Sequence, residues 1–97
     1  MSDEWPFEAP RNTAVITTVR VTDHDYPVLL VTHDSDDGGW QFLCGGAAGA
    51  NEARIIGLEE AVNRDPTLRE LADLPEGWCA RRDNLKSPWR REPNEPG

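Results

Sequence analysis

The sequence has no long apolar run. Its longest, Val28–Val31, covers four residues, whereas a membrane-spanning helix needs about 18 or more. The N-terminal stretch MSDEWPFEAP is acidic and lacks the basic start and apolar segment of a signal peptide. We therefore expect a cytoplasmic protein with no membrane partner.

Cysteine is also scarce, with only Cys44 and Cys79 present. The two residues form no CxxC motif and are too few for a zinc ribbon or a disulfide scaffold. We expect both to be reduced thiols that pack as small apolar groups. The histidines, His24 and His33, match no metal-ligand spacing, so the sequence predicts neither a metal nor a cofactor.

A chain of 97 residues is long enough for one modest core and too short for two domains. We expect a single domain over 1–97. Within it, an extended arm spans 1–12, the core spans 13–83, and a loose tail spans 84–97. Trp89 is expected to dock this tail on the core.

The net charge of -8 comes from the first part of the chain. Residues 1–60 hold eleven acidic and three basic residues, whereas residues 61–97 hold seven of each. This distribution disfavours nucleic-acid binding and favours a cationic protein partner, although the acids would also serve solubility alone. The candidate partner-binding residues are the acids of two turns and an aromatic anchor: Asp23, Asp25, Asp34, Asp36, Asp37 and Trp89.

The residue pattern predicts an α+β fold, in which a small antiparallel sheet has helices on one face and the element order is β-β-β-α-α-β. Alternation and turn residues predict three meander strands, at 14–21, 28–34 and 40–44. Asn51 is positioned to cap a helix that ends near Arg64, and its expected inward positions include Ile55, Leu58 and Val62. Asp65 caps a shorter second helix with Leu68 and Leu71 inward, and WCARRD forms the last strand.

The segment GGWQFLCGGAAGANEARIIG has the order strand, glycine loop and helix that many phosphate sites use. However, it lacks the lysine of a Walker loop, and its glycines are out of register for a dinucleotide fingerprint. Cys44 shares a strand face with Trp40 and Phe42, which is typical of a buried thiol rather than a nucleophile. A small enzyme or ligand-binding domain that uses Cys44 or the Gly45–Gly49 loop remains the alternative reading.

Two charged segments also fall short of a functional motif. The DSDDGG segment fails the ligand pattern of a calcium-binding EF-hand, because Gly38 and Gly45 occupy positions that require oxygen ligands. The basic segment ARRDNLKSPWRR is small, so we expect its arginines to pair with the acidic surface rather than to bind RNA.

Three pieces of the sequence carry a resemblance to a known family. They are the Trp-x-Phe-x-Cys-Gly strand end at 40–45, Asp-Pro-x-Leu-x-x-Leu at 65–71 and Leu-Pro-x-Gly-Trp at 74–78. Over roughly Val15 to Arg91, the chain resembles the immunity-protein 33-like domain family of bacterial polymorphic toxin systems. This resemblance implies a small α+β protein that binds and neutralises a toxin, without catalytic residues.

Overall fold

The computed structural model describes residues 5–44 and 53–93. Within these ranges, the chain forms six strands, two α-helices and a 3₁₀ helix, so the predicted α+β class is confirmed. The strands are β1 (Ala14–Thr18), β2 (Leu30–His33), β3 (Trp40–Leu43), β4 (Ala53–Gly57), β5 (Trp78–Arg81) and β6 (Arg90–Pro93). The helices are α1 (Val19–His24), α2 (Leu58–Arg64) and the 3₁₀ helix (Pro66–Leu71). None of the helices in these ranges has the length and apolar character needed to cross a membrane.

All six strands belong to one sheet, in the order β4-β1-β3-β2-β5-β6. β1 and β3 are parallel, and the other neighbouring strands are antiparallel. The predicted hairpin of β2 and β3 is confirmed. The predicted antiparallel meander is wrong, because β1 and β2 are not neighbours in the sheet. The segment that contains α1 connects them, and β3 lies between them, parallel to β1.

The first strand is shorter than the predicted 14–21, since α1 replaces its end. The Thr18 hydroxyl accepts a hydrogen bond from the backbone N–H of Val21 at 3.4 Å and caps the helix. Asp25 ends the helix in the left-handed region, with φ of 54°. A capping threonine therefore ends β1 at Thr18, although the β-branched residues continue with Val19 and Val21.

The predicted start of the next helix is also wrong, because 53–57 forms β4. The two isoleucines, Ile55 and Ile56, are β-branched and suit a strand, and β4 pairs with β1 along its whole length. Ile55 is consequently 71% exposed rather than inward. Gly57 is the N-cap of α2, while the expected cap, Asn51, lies outside the described residues.

One face of the sheet packs against α2 and the 3₁₀ helix to form the core. As predicted, Leu58, Val62, Leu68 and Leu71 are buried. The strand residues that share this core are Val15, Val31, Phe42 and Ala80. The N-terminal arm adds Phe7, whose ring meets Trp40 edge-on at 5.3 Å.

The last two elements follow the core helices. Asp65 caps the 3₁₀ helix as predicted, since its Oδ1 accepts a hydrogen bond from the N–H of Thr67 at 3.1 Å. Part of the expected loose tail is ordered, because Arg90–Pro93 forms β6 against β5. The sheet therefore has one more strand after β5, which the sequence pattern predicts to be the last strand.

Arg82 is a buried cation immediately after β5, with 4% of its surface exposed. Its Nε and Nη2 donate to the Val28 carbonyl at 3.1 and 2.9 Å. Nη1 donates to Thr67 Oγ1 at 3.0 Å, and Nη2 donates to Asp65 Oδ2 at 2.7 Å. The Trp89 ring covers the guanidinium, with Cζ 4.1 Å from the ring centroid. Arg82 therefore joins the start of β2, the cap of the 3₁₀ helix and the entry to β6.

We predict that Arg82→Ala destabilises the protein by about 3–5 kcal/mol, because it leaves the largely buried Asp65 carboxylate and the buried Val28 carbonyl without their donor. Urea unfolding measures this loss. The adjacent Arg81 pairs with Glu92 on the exposed surface at 3.2 Å, so Arg81→Ala should cost less than about 1 kcal/mol. Similar small losses in both variants would contradict the role given to Arg82.

Candidate functional site

The β2–β3 hairpin presents three acids in a tight turn. The Asp34 N–H donates to the Gly39 carbonyl at 2.7 Å, and the Gly38 N–H donates to the Asp34 carbonyl at 3.0 Å. Gly38 has φ of 72°, which glycine adopts without strain. Asp37 Oδ1 accepts from the Gly39 N–H at 2.8 Å. The turn therefore holds Asp34, Asp36 and Asp37 at one end of the sheet.

Beside this turn lies a concave surface with a volume of about 900 Å³. It is bounded by the N-terminal arm, the hairpin and residues 72–76, and we call it the acidic concavity. No lysine or arginine of the described residues lines it, whereas four carboxylates do: Glu8, Asp37, Asp73 and Glu76. Pro6, Ala9 and Pro75 contribute apolar surface, and Trp40 and Leu74 lie almost buried beneath it. Such a lining suits a guanidinium or ammonium group with an apolar stem.

His33 forms a fixed part of the wall of the acidic concavity. Its ring stacks on Trp40, with centroids 3.9 Å apart and an interplanar angle of 15°. Nδ1 lies 2.7 Å from the Leu74 carbonyl oxygen. Because that oxygen only accepts, Nδ1 carries the hydrogen. His33 thereby ties the hairpin to the segment after the 3₁₀ helix.

Asp73 is the one carboxylate of the acidic concavity with an ion pair among the described residues. Arg91 Nη1 donates to Asp73 Oδ1 at 2.7 Å, and Arg91 also donates to the Glu70 carbonyl. The hydrogen bond from Arg91, followed by its positive charge, holds the pKa of the Asp73 carboxyl below its ordinary value of 3.8. Glu8, Asp37 and Glu76 form no ion pair with any residue in the described ranges. Their charges are therefore available to a cationic partner.

The acids predicted from the sequence fall into two separate groups. Because β1 and β3 are parallel, α1 follows β1 at the end of the sheet where β3 finishes, and the hairpin lies at the opposite end. A four-residue strand, roughly 13 Å long, separates the two ends. Asp23, in α1, pairs with Arg54 at 3.3 Å. Only the hairpin acids, Asp34, Asp36 and Asp37, lie at the end with the acidic concavity.

A second, smaller concavity of about 320 Å³ lies at the α1 end of the sheet. Asp25 and Asp65 line it together with Arg64, and Asp65 is already bound to Arg82. Exposed Tyr26 and Leu85 form part of its wall. Because charges of both signs meet here, this concavity favours a cationic partner less than the acidic concavity does.

Trp89, the candidate aromatic anchor, is at the same end as the smaller concavity. Its ring lies over the guanidinium of Arg82. Its Nε1 is buried and has no hydrogen-bond partner among the residues that the structure describes. The indole therefore serves packing around Arg82, and Trp40 is the tryptophan at the acidic concavity.

Both thiols are buried as predicted, with Cys44 8% and Cys79 2% exposed. Cys44 follows β3 at the end of the sheet away from His33, and it lines neither of the two concavities. The Gly45–Gly49 loop lies outside the described residues. Over 5–44 and 53–93, no three His, Cys, Asp or Glu side chains are grouped closely enough to hold a metal ion.

Four residues of the acidic concavity are not among those expected from the sequence: Glu8, His33, Asp73 and Glu76. They belong to the arm, the segment after the 3₁₀ helix and the end of β2, which come together only in the folded chain. The spacing of these residues along the chain carries no signal of the site. The Pro-Glu-Gly sequence at 75–77 predicts a surface turn, but it does not predict that the arm and the hairpin lie beside that turn.

Comparison of the chain with models of protein families, with curated proteins and with solved structures finds no match.

The pairing of Asp73 with Arg91 gives a testable prediction. In Arg91→Gln, the pKa of Asp73 should rise toward its ordinary value, because the donor and the positive charge are both lost. NMR titration of the Asp73 carboxyl carbon measures this change. A lowered pKa in the folded state means that the pair stabilises the protein above the unfolded pKa, and that this contribution is lost as the pH falls through the folded value.

Arg90→Gln is the matched control, since Arg90 pairs with Asp83 instead. Its Asp73 titration should equal that of the wild type. An unchanged Asp73 titration in Arg91→Gln would contradict the pairing.

Proposed function

We propose that this chain is a small, non-enzymatic binding protein that holds a basic partner protein at the acidic concavity. By covering a functional surface of that partner, it would neutralise it, as the sequence resemblance to immunity proteins of bacterial toxin systems implies. A cytoplasmic location is part of the proposal.

The observation that carries this proposal is a concave surface with four carboxylates and no basic lining residue in the described ranges. Glu8, Asp37 and Glu76 make no ion pair with any residue in the described ranges, so a cationic group from a partner would meet carboxylates that lack a basic partner there. Asp34 and Asp36 add negative charge on the adjacent turn. Charge of one sign on a concave surface also accelerates the encounter with a partner of opposite sign.

The fixed geometry of the site supports the same proposal. His33 is held by its stack on Trp40 and its bond to Leu74, and the carboxylates of Asp34 and Asp37 accept hydrogen bonds from the backbone N–H groups of Asp36 and Gly39. A site with fixed side chains loses less conformational entropy on binding than a flexible one. The alternative of a small enzyme based on Cys44 has no specific arrangement of described residues in its favour.

The test is co-purification with the protein encoded by the adjacent gene, at low and at high salt. We expect a complex at low salt that weakens as salt rises, because exposed charges are screened. The double variant Asp37→Asn, Glu76→Gln removes two charges but keeps side-chain size, and the asparagine oxygen can still accept from Gly39. It should weaken binding by about tenfold or more.

The matched control is Asp23→Asn with Asp25→Asn, which makes the same change in net charge at the opposite end of the sheet. This control should bind like the wild type. Equal weakening in both double variants would show an unspecific charge effect and contradict a site at the acidic concavity. Failure of the wild type to bind at low salt would contradict the proposed function itself.

A further inference from the structure

The two edges of the sheet differ in how they are protected. β6 ends one side with the sequence Arg-Arg-Glu-Pro, and charges and proline are the usual means of blocking edge pairing. β4 ends the other side with Ala-Arg-Ile-Ile-Gly. Its only charge, Arg54, is paired with Asp23. The β4 edge therefore lacks the protection that the β6 edge has.

The hydrogen-bond register shows which backbone groups of β4 point away from the sheet. The N–H of Leu58 donates to the Thr13 carbonyl on the β1 side at 2.8 Å. In an antiparallel pair this direction alternates along the strand, so Ile56 and Arg54 also bond toward β1. The N–H and C=O groups of Ala53, Ile55 and Gly57 consequently face the open edge. None of them has a hydrogen-bond partner on that edge within the described ranges.

The side chains of Ala53 and Ile55 share the face of the sheet opposite α2. Ile55 is directly across from Ile16, and the two are 71% and 39% exposed. By the strand register, the neighbouring positions on this face in β3 and β2 are uncharged: Gln41, Leu43, Leu30 and Thr32. An exposed isoleucine pair thus borders an unprotected edge.

We propose that β4 pairs antiparallel with β4 of a second copy of this chain, about a two-fold axis at Ile55. Ala53 and Gly57 lie at equal distances from Ile55 along the strand. Ile55 therefore pairs with Ile55 of the second copy, and Ala53 of each copy pairs with Gly57 of the other. Every outward backbone group of the strand then gains a partner. The exposed isoleucines, Ile16 and Ile55, of both copies form one continuous apolar row across the joined sheet.

The charges of β4 fit this register. Arg54 lies opposite Ile56 of the second copy rather than opposite another Arg54. The helix after that Ile56 begins with Glu59 and Glu60, which pair with Arg11 and Arg64 of their own copy, so each Arg54 approaches a turn whose charges are balanced. The paired area is smaller than the roughly 800 Å² per partner of a standard stable interface, and the dimer is therefore weak and concentration-dependent. Antiparallel pairing also places the two acidic concavities at opposite ends of the joined sheet, where both stay accessible.

The direct test is oxidative cross-linking of Ile55→Cys. In the proposed register, the two cysteines form a hydrogen-bonded pair with Cα atoms about 5.5 Å apart, which lies within the range of a disulfide. Ala53→Cys is the matched control on the same strand, because its two copies are separated by roughly 13 Å. The native thiols are both buried and give a low background. We expect a covalent dimer from Ile55→Cys at a rate at least about tenfold above Ala53→Cys, and equal rates would overturn the register.

Sedimentation equilibrium of the unmodified protein provides an independent measurement. We expect a reversible monomer–dimer equilibrium at physiological salt, where the -8 charge of each copy is screened beyond about 8 Å. Ile55→Lys places two like charges side by side and should lower the association constant by at least about tenfold. Leu85→Lys, an equal change at another exposed position, should leave it unchanged. A wild type that remains monomeric at every concentration would overturn the proposal, and it would leave the proposed function standing.

Discussion

The fold depends on one buried guanidinium, that of Arg82. A charge taken out of water is tolerated only when its donors are satisfied, and here Val28, Thr67 and Asp65 accept hydrogen bonds from it while Trp89 covers its face. These partners come from segments far apart in the chain. Satisfying one cation therefore fixes the start of β2, the cap of the 3₁₀ helix and the path into β6 together.

Charge is distributed unequally over the two ends and two edges of the sheet. At the α1 end, ion pairs join Asp23 with Arg54 and Asp65 with Arg82, so these two acids serve structure. At the hairpin end, the acidic concavity keeps most of its carboxylates without a basic partner among the described residues. The β6 edge is charged, and the β4 edge presents Ile55. We propose an external partner for each of the two remaining surfaces: a basic protein for the acidic concavity and a second copy of the chain for the β4 edge.

Local sequence signals predicted the elements whose determinants are local. The Asp/Gly turn fixed the β2–β3 hairpin, and the Asp65-Pro66 pair fixed the start of the 3₁₀ helix. They failed for β4, because Ile55 and Ile56 fit a helical face as well as a strand, and only pairing with β1 decides between them. The parallel pairing of β1 and β3 and the acidic concavity arise from contacts between distant segments. For that reason the sequence indicated Asp37 but neither Glu8 nor Asp73.

The central claim is that a basic partner binds at the hairpin end and not wherever the chain is acidic. Titration of the ¹⁵N-labelled protein with an arginine-rich peptide, followed by amide NMR shifts, tests this claim most directly. We expect shifts confined to Glu8 and Ala9 of the arm and to residues 33–40 and 72–76, including the indole N–H of Trp40. Shifts centred on residues 19–28, or spread evenly over all acidic surfaces, would contradict it.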